Sequence, residues 1–179
     1  MREQLSRRRF FQSMSAVATA GTAAAPRGEL GTLPFSTPAM TRPGMPFVNP
    51  KKVLLWENTR KEIRESLASG RVKAAILPTG SVEQHNEHMA LIADVAISTL
   101  ISKQVALQLY PSVLVAPPSP CGYAPYHMAR KGTITLRKET FQAYVLDVLD
   151  SLKAHGIRNI LVLNGHGGNH QPLLEMLPV

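Results

Sequence analysis

Three short runs of apolar residues, 72–77, 113–116 and 159–163, set the frame for this chain. Each is closed by turn-forming residues: Pro78 and Gly80 after the first, Pro117 and Pro118 after the second, Asn164 and Gly165 after the third. A short run without polar alternation reads as a strand buried on both faces, the habit of parallel sheets. Between the runs the period changes. Ile97, Leu100, Ile101, Val105 and Leu109 form one helical stripe that ends before Pro111. Phe141, Tyr144, Val145, Val148, Leu149 and Leu152 recur at helical spacing, with Gly156 as the stop. A shorter helix is predicted over 58–68, ending at Gly70, and a last one around Leu173, Leu174 and Leu177. The alternation predicts an α/β fold, three layers α/β/α, with a mostly parallel sheet covered on both faces.

In such sheets ligands bind where the carboxyl ends of the strands meet their loops. Two loops at those ends carry chemistry. The first, residues 80–94, presents Glu83, His85, His88 and Asp94. In extended chain, residues i and i+2 point to one side, so Glu83 and His85 can face a common point. Asp94, opening the next helix, can close on that point from another direction. The second loop, 164–169, places His166 among Gly165, Gly167 and Gly168, with Asn164 and Asn169 able to hold it through side-chain hydrogen bonds. Carboxylates and imidazoles together suit hard and borderline divalent metals. A lone Glu-x-His fits a solvated surface loop equally well. Asp94, one of only three aspartates, and the second histidine loop at a matching strand end tip the reading toward a site.

Composition narrows the alternatives. Hydrophobic residues make up 44% of the 179 and charged ones 18%, which suits a globular domain. The net charge of +8 is partly concentrated in Arg2, Arg7, Arg8 and Arg9; the remainder is scattered without interleaved aromatics, so nucleic acid is not an expected partner. The single Cys121 excludes an internal disulfide or a multi-cysteine zinc site. Residues 6–12, Ser-Arg-Arg-Arg-Phe-Phe-Gln, resemble the twin-arginine export motif, and the Ala/Thr/Gly-rich stretch to residue 25 is too short and mild to span a membrane. Residues 1–25 are therefore expected to be a twin-arginine signal peptide directing a metal-loaded protein to the periplasm or exterior, without a stable membrane anchor after cleavage. Residues 26–50 hold Pro26, Pro34, Pro38, Pro43, Pro46 and Pro50 and read as a linker or surface strap; the domain is expected over 51–179.

Three segments together carry a resemblance: Gly80-Ser81-Val82-Glu83-Gln84-His85 with Asp94, then Gly132-Thr133-Ile134, then residues 164–169. In order and spacing they resemble the creatininase (creatinine amidohydrolase) family. The resemblance implies an α/β/α fold with two zinc or manganese ions that hydrolyses C–N bonds in small cyclic or linear amides. It implies that Glu83 and His85 each bind one metal, that Asp94 bridges both, and that His166 joins Glu83 on its metal. His127 matches a histidine near the family's substrate pocket, and His88 one expected behind the ligands.

This chain also departs from the family pattern. Asn86-Glu87 stand where the family usually has Gly-Pro, and Met89-Ala90-Leu91 where it has Leu-Pro-Leu. Gly168 excludes the acidic ligand that some members place in the second loop. Members of the family continue past this segment into a part that carries another glutamate ligand and a histidine proposed as general acid/base. The chain is therefore expected to be C-terminally incomplete, with its general acid/base beyond Val179, and to form a homo-oligomer if full length. On that basis the expected activity is a metal-dependent amidohydrolase, the alternative a non-catalytic metal- or ligand-binding remnant.

Overall fold

A computed structural model describes residues 51–176. The leader assigned to 1–25, the proline-rich stretch at 26–50 and Leu177 lie outside the described residues. Three parallel strands form one sheet in the order β2-β1-β3: β1 (Ala74–Thr79), β2 (Val113–Val115) and β3 (Asn159–Asn164). Four helices accompany them: α1 (Arg60–Ala68), α2 (Ala93–Gln108), α3 (Lys138–Ala154) and α4 (His170–Met176).

Strand β1 lies in the middle, and its side chains alternate between two cores. Ala75 and Leu77 face the first, where Phe141, Val145, Leu149 and Leu152 of α3 pack with Leu173 of α4. Ile76 faces the second, with Val113 and Val115 of β2, Ala106 of α2, and Val53 and Leu54. Helices thus lie on both sides of β1 and β2, as their unalternating runs predict. Strand β3 departs from that expectation, because it is an edge strand with Leu161 57% exposed and none of its residues fully buried. On the first side, Lys138 Nζ meets Glu175 Oε2 at 3.0 Å, and Gln142 Nε2 donates to the Pro172 carbonyl at 2.9 Å, tying α3 to α4.

In two places the structure differs from the expectation. Strand β1 does not stop at Pro78 but runs through it to Thr79. A proline inside a central strand removes one ladder donor. Pro78 keeps its acceptor role, taking the Ser119 N–H at 3.0 Å, and β2 has already ended at Val115, so no regular ladder partner is left wanting a donor there.

The second difference concerns α2. Its apolar stripe faces outward: Ile97, Leu100, Ile101 and Leu109 are about half exposed, Val105 somewhat less. The face toward the sheet consists of Asp94, Val95, Ser98, Ser102 and Ala106. Small residues let the helix backbone approach the sheet closely. The buried hydroxyls are not orphaned, because Ser98 donates to the Val95 carbonyl and Ser102 to the Ser98 carbonyl, at 3.2 and 2.8 Å. That close approach carries the first turn of α2, and with it Asp94, up to the loop ends of β1 and β3.

Candidate metal centre

The loop after β1 is pinned by main-chain bonds. Glu83 N–H donates to the Leu91 carbonyl at 3.0 Å, Ile134 N–H to the Val82 carbonyl at 2.9 Å, and Gln84 N–H to Thr133 Oγ1 at 3.2 Å. Asn86 adopts φ +60°, a left-handed conformation that asparagine tolerates better than most residues. Glu83 and His85 both reach the cluster, and Gln84 between them reaches His127. Asp94 enters from the first turn of α2. Each of the three offers one ligand atom, and these lie within 4.8 Å of one another.

Each histidine has one nitrogen committed elsewhere. His85 Nδ1 lies 3.1 Å from the Glu83 carbonyl, to which it donates, leaving Nε2 directed at Asp94 Oδ1 at 2.9 Å. His166 Nε2 lies 3.2 Å from the Tyr123 carbonyl and donates to it, leaving Nδ1 facing Asp94 Oδ2 at 3.0 Å and Glu83 Oε1 at 3.1 Å. A carbonyl partner fixes the tautomer of an imidazole and frees its other nitrogen as a ligand. The two oxygens of Asp94 therefore face different imidazoles.

His166 is held there by two asparagines. Asn164 Oδ1 accepts from Thr79 Oγ1 and from the His166 N–H, while its Nδ2 donates to the His166 carbonyl. Asn169, fully buried, accepts the Tyr123 N–H at 2.8 Å and donates to the Gly80 carbonyl at 3.1 Å, binding three loops together. Gly165 is required by proximity: a Cβ there would lie 2.6 Å from the Asp94 carbonyl oxygen.

A third loop, residues 121–136, completes the cluster. A 3-10 turn at Pro125–His127 places His127 Nε2 3.2 Å from Glu83 Oε2. His127 has an anchor: Gln84 Nε2 lies 3.1 Å from His127 Nδ1. The amide orientation follows from its other end, since Gln84 Oε1 accepts from the Asn86 N–H and from Arg130 Nη1. Tyr126, next to His127, stacks on His166 with centroids 6.5 Å apart and 22° between planes.

The structure thus brings Glu83, His85, Asp94, His166 and His127 together, with Asn164 and Asn169 bracing the loops behind them. His88 is exposed and makes no hydrogen bond or ion pair among the described residues. Sequence reasoning missed Gln84, Tyr123 and Tyr126. No local signal in the sequence marks them, because each acts through a contact with a distant loop.

The electrostatics are those of a cation site. Burial pulls the His85 imidazole down, but hydrogen bonds to the Glu83 carbonyl and the Asp94 carboxylate outweigh it and hold the group above its ordinary value. Burial first, then the Glu83 charge, pushes the Tyr126 phenol up. Burial likewise raises the Cys121 thiol. Glu83 Oε2 and Asp94 Oδ2 are buried without a hydrogen bond, although His127 Nε2 and His166 Nδ1 lie only 3.2 and 3.0 Å away. The nitrogens are close but not aligned as donors. Buried carboxylate oxygens without donors are costly unless a cation completes them, so the donor set fits a divalent ion.

Comparison with known proteins identifies the family. The sequence profile of the creatininase family, described as creatinine amidohydrolase, matches residues 56–178. Creatinine amidohydrolase of Pseudomonas putida is 32% identical over 130 residues, covering 70% of this chain and 49% of that protein. The 3-dehydro-scyllo-inosose hydrolase of Thermotoga maritima is 34% identical over 119 residues, 66% of this chain and 37% of that protein. A solved creatininase in its manganese form superposes with a TM-score of 0.64 at 32% identity, over 70% of this chain and 49% of that one; a mutant creatininase in a Zn–Zn form superposes equally well. The chain thus spans about half the length, or less, of the relatives it matches. With the profile covering all three site loops and the sheet that carries them, this chain belongs to the creatininase family.

Proposed function

We propose that the protein is a metal-dependent amidohydrolase whose centre is built from Glu83, His85, Asp94 and His166. The observation that carries this reading is the carboxylate of Asp94, with one oxygen 2.9 Å from His85 Nε2 and the other 3.0 Å from His166 Nδ1. If two divalent ions are bound, Asp94 would be placed to serve both, and Glu83, His85 and His166 would supply the other ligand atoms. Zinc and manganese match the ligand types and the forms of the solved creatininases.

When bound, two divalent ions acidify water and polarise a carbonyl group. The chain's own residues do the rest. Asp94 and Glu83 supply the negative charge that holds cations, and the Glu83 and Tyr123 carbonyls keep both imidazoles in the ligating tautomer. His127, oriented by Gln84, stands beside Glu83 with an N–H available to a substrate. The substrate class is a small molecule with a hydrolysable amide. The relatives bear the names of different substrates, so the class is proposed and not the individual compound.

Elemental analysis of the purified chain, with hydrolysis assays on creatinine and a panel of cyclic and linear amides, tests the reading. Zinc or manganese bound in wild type and lost in Asp94→Ala supports it; no metal in either overturns it. Bound metal without turnover would leave the metal centre standing and favour a binding role.

Residues 6–12 further support a proposal that the protein is exported by the twin-arginine route to the periplasm or beyond. Changing Arg7 and Arg8 to Lys should trap the precursor in the cytoplasm; undiminished export of that variant refutes the route.

A further inference from the structure

Tyr126 occupies a place that the second histidine loop leaves vacant. A side chain at Gly168 would collide at once with the Tyr126 hydroxyl, the Tyr123 carbonyl and His166 Nε2. The Tyr126 ring is held from two sides: it stacks on His166 and meets His127 edge-on, centroids 4.8 Å apart at 67°. Those imidazoles lie 3.1 and 3.2 Å from the two oxygens of Glu83. The phenol is therefore fixed against the groups that flank one carboxylate of the centre.

Its hydroxyl, however, makes no hydrogen bond among the described residues, and Tyr126 is 59% exposed. An exposed O–H of this kind is satisfied by solvent and stays available to a ligand that displaces it. Here the ring is positioned while the O–H is left free at the edge of the cluster. Beside it the loop opens: no atom lies within 4 Å of where a Cβ on Gly167 would be.

We propose that Tyr126 is a substrate-positioning residue, its hydroxyl donating a hydrogen bond to an oxygen of a small carbonyl compound seated against the Glu83–His85–Asp94–His166 cluster. The proposal rests on the metal-centre reading above. Because the hydroxyl comes from the 121–136 loop and needs a side-chain-free position 168, tyrosine at 126 and glycine at 168 act as a pair. A substrate without an acceptor oxygen in that place would lose the contact. A phenol is a neutral hydrogen-bond donor at the pH at which a hydrolase works.

The test uses the full chain loaded with zinc, and acetohydroxamate as a probe that offers both metal-binding and acceptor oxygens. Tyr126→Phe keeps the ring and removes only the hydroxyl. The expected result is an acetohydroxamate Kd raised roughly 5-fold, the worth of one hydrogen bond, with zinc content and Tm unchanged. Acetohydroxamate should also perturb the near-ultraviolet tyrosine absorption of wild type more than that of the variant, a signal that a purely structural role would not give. An unchanged Kd in a fully zinc-loaded Tyr126→Phe overturns the role of Tyr126 and leaves the metal centre intact. A wild type that retains no zinc overturns both, and one that retains zinc but does not bind acetohydroxamate overturns the positioning role.

Discussion

His166 turns Nδ1 to within 3.0 Å of Asp94 Oδ2 because its other nitrogen is spent on the Tyr123 carbonyl. Asp94 gives its second oxygen to His85, so one carboxylate links two imidazoles carried by different strand ends. Removing it should disable both halves of the centre. Asp94→Ala is expected to lower metal affinity beyond the 10–100-fold or so typical of losing an outer partner. Elemental analysis and calorimetric titration with zinc check this, and unchanged metal content would exclude a bridging carboxylate.

Gln84 should matter without touching metal. Its amide donates to His127 Nδ1 and so leaves the proton on Nε2, facing Glu83. Gln84→Leu removes that bias and lets His127 change tautomer or swing away. Activity or metal affinity is expected to fall about 10–100-fold, with little loss of stability because Gln84 lies at the edge of the loop. Nitrogen NMR of labelled histidine reads the tautomer directly; an unchanged His127 signal would refute the anchor.

Asn169 is the fully buried knot of the loops. Asn169→Ala would leave the Tyr123 N–H and the Gly80 carbonyl without partners at once. Each buried orphan costs about 1–3 kcal/mol, so a loss of about 3 kcal/mol is expected in urea unfolding. A loss well below about 1 kcal/mol would mean that water or a loop shift replaces the asparagine.

The three strands, their parallel direction and the convergence of Glu83, His85, Asp94 and His166 were legible because periodicity and strand ends are local features. Alternation alone put Glu83 and His85 on one side. What was not legible depends on contacts between distant loops: the Gln84–His127 bond, the Tyr123 carbonyl under His166, and the stacking of Tyr126. Nothing in the spacing of 121–136 reveals which face of that loop turns inward. Helix α2 misled for another reason. Its apolar stripe was the stronger periodic signal, but the sheet admits only the small-residue face, because Asp94 must reach the loop ends. Leu100→Glu is therefore expected to change the stability of the described fold by less than about 0.5 kcal/mol. Ala106→Leu, which overpacks the fully buried face, should cost about 1–3 kcal/mol. Urea unfolding of the pair decides, and the reverse ranking would show that the stripe is the packed face.

The entry into α1 makes a prediction about pH. Thr59 and Glu62 form a reciprocal capping box, and Lys52 Nζ lies 2.7 Å from Glu62 Oε1. The hydrogen bond from Lys52, followed by those from the Thr59 N–H and hydroxyl, lowers the Glu62 carboxyl to about 2. A folded-state value below the unfolded one means that the unfolded chain binds the proton more readily. The stabilisation is thus complete above the unfolded value of about 4.5, and is lost as pH falls from there toward 2. Glu62→Gln keeps the shape but cannot ionise. Its Tm should lie below that of wild type at pH 7, and the gap should narrow steadily between pH 4.5 and 2. Because the pair is open to solvent, the gap should also shrink in high salt. No gap at pH 7, or a gap that persists unchanged at pH 2, would show that ionisation of Glu62 does not carry the stabilisation.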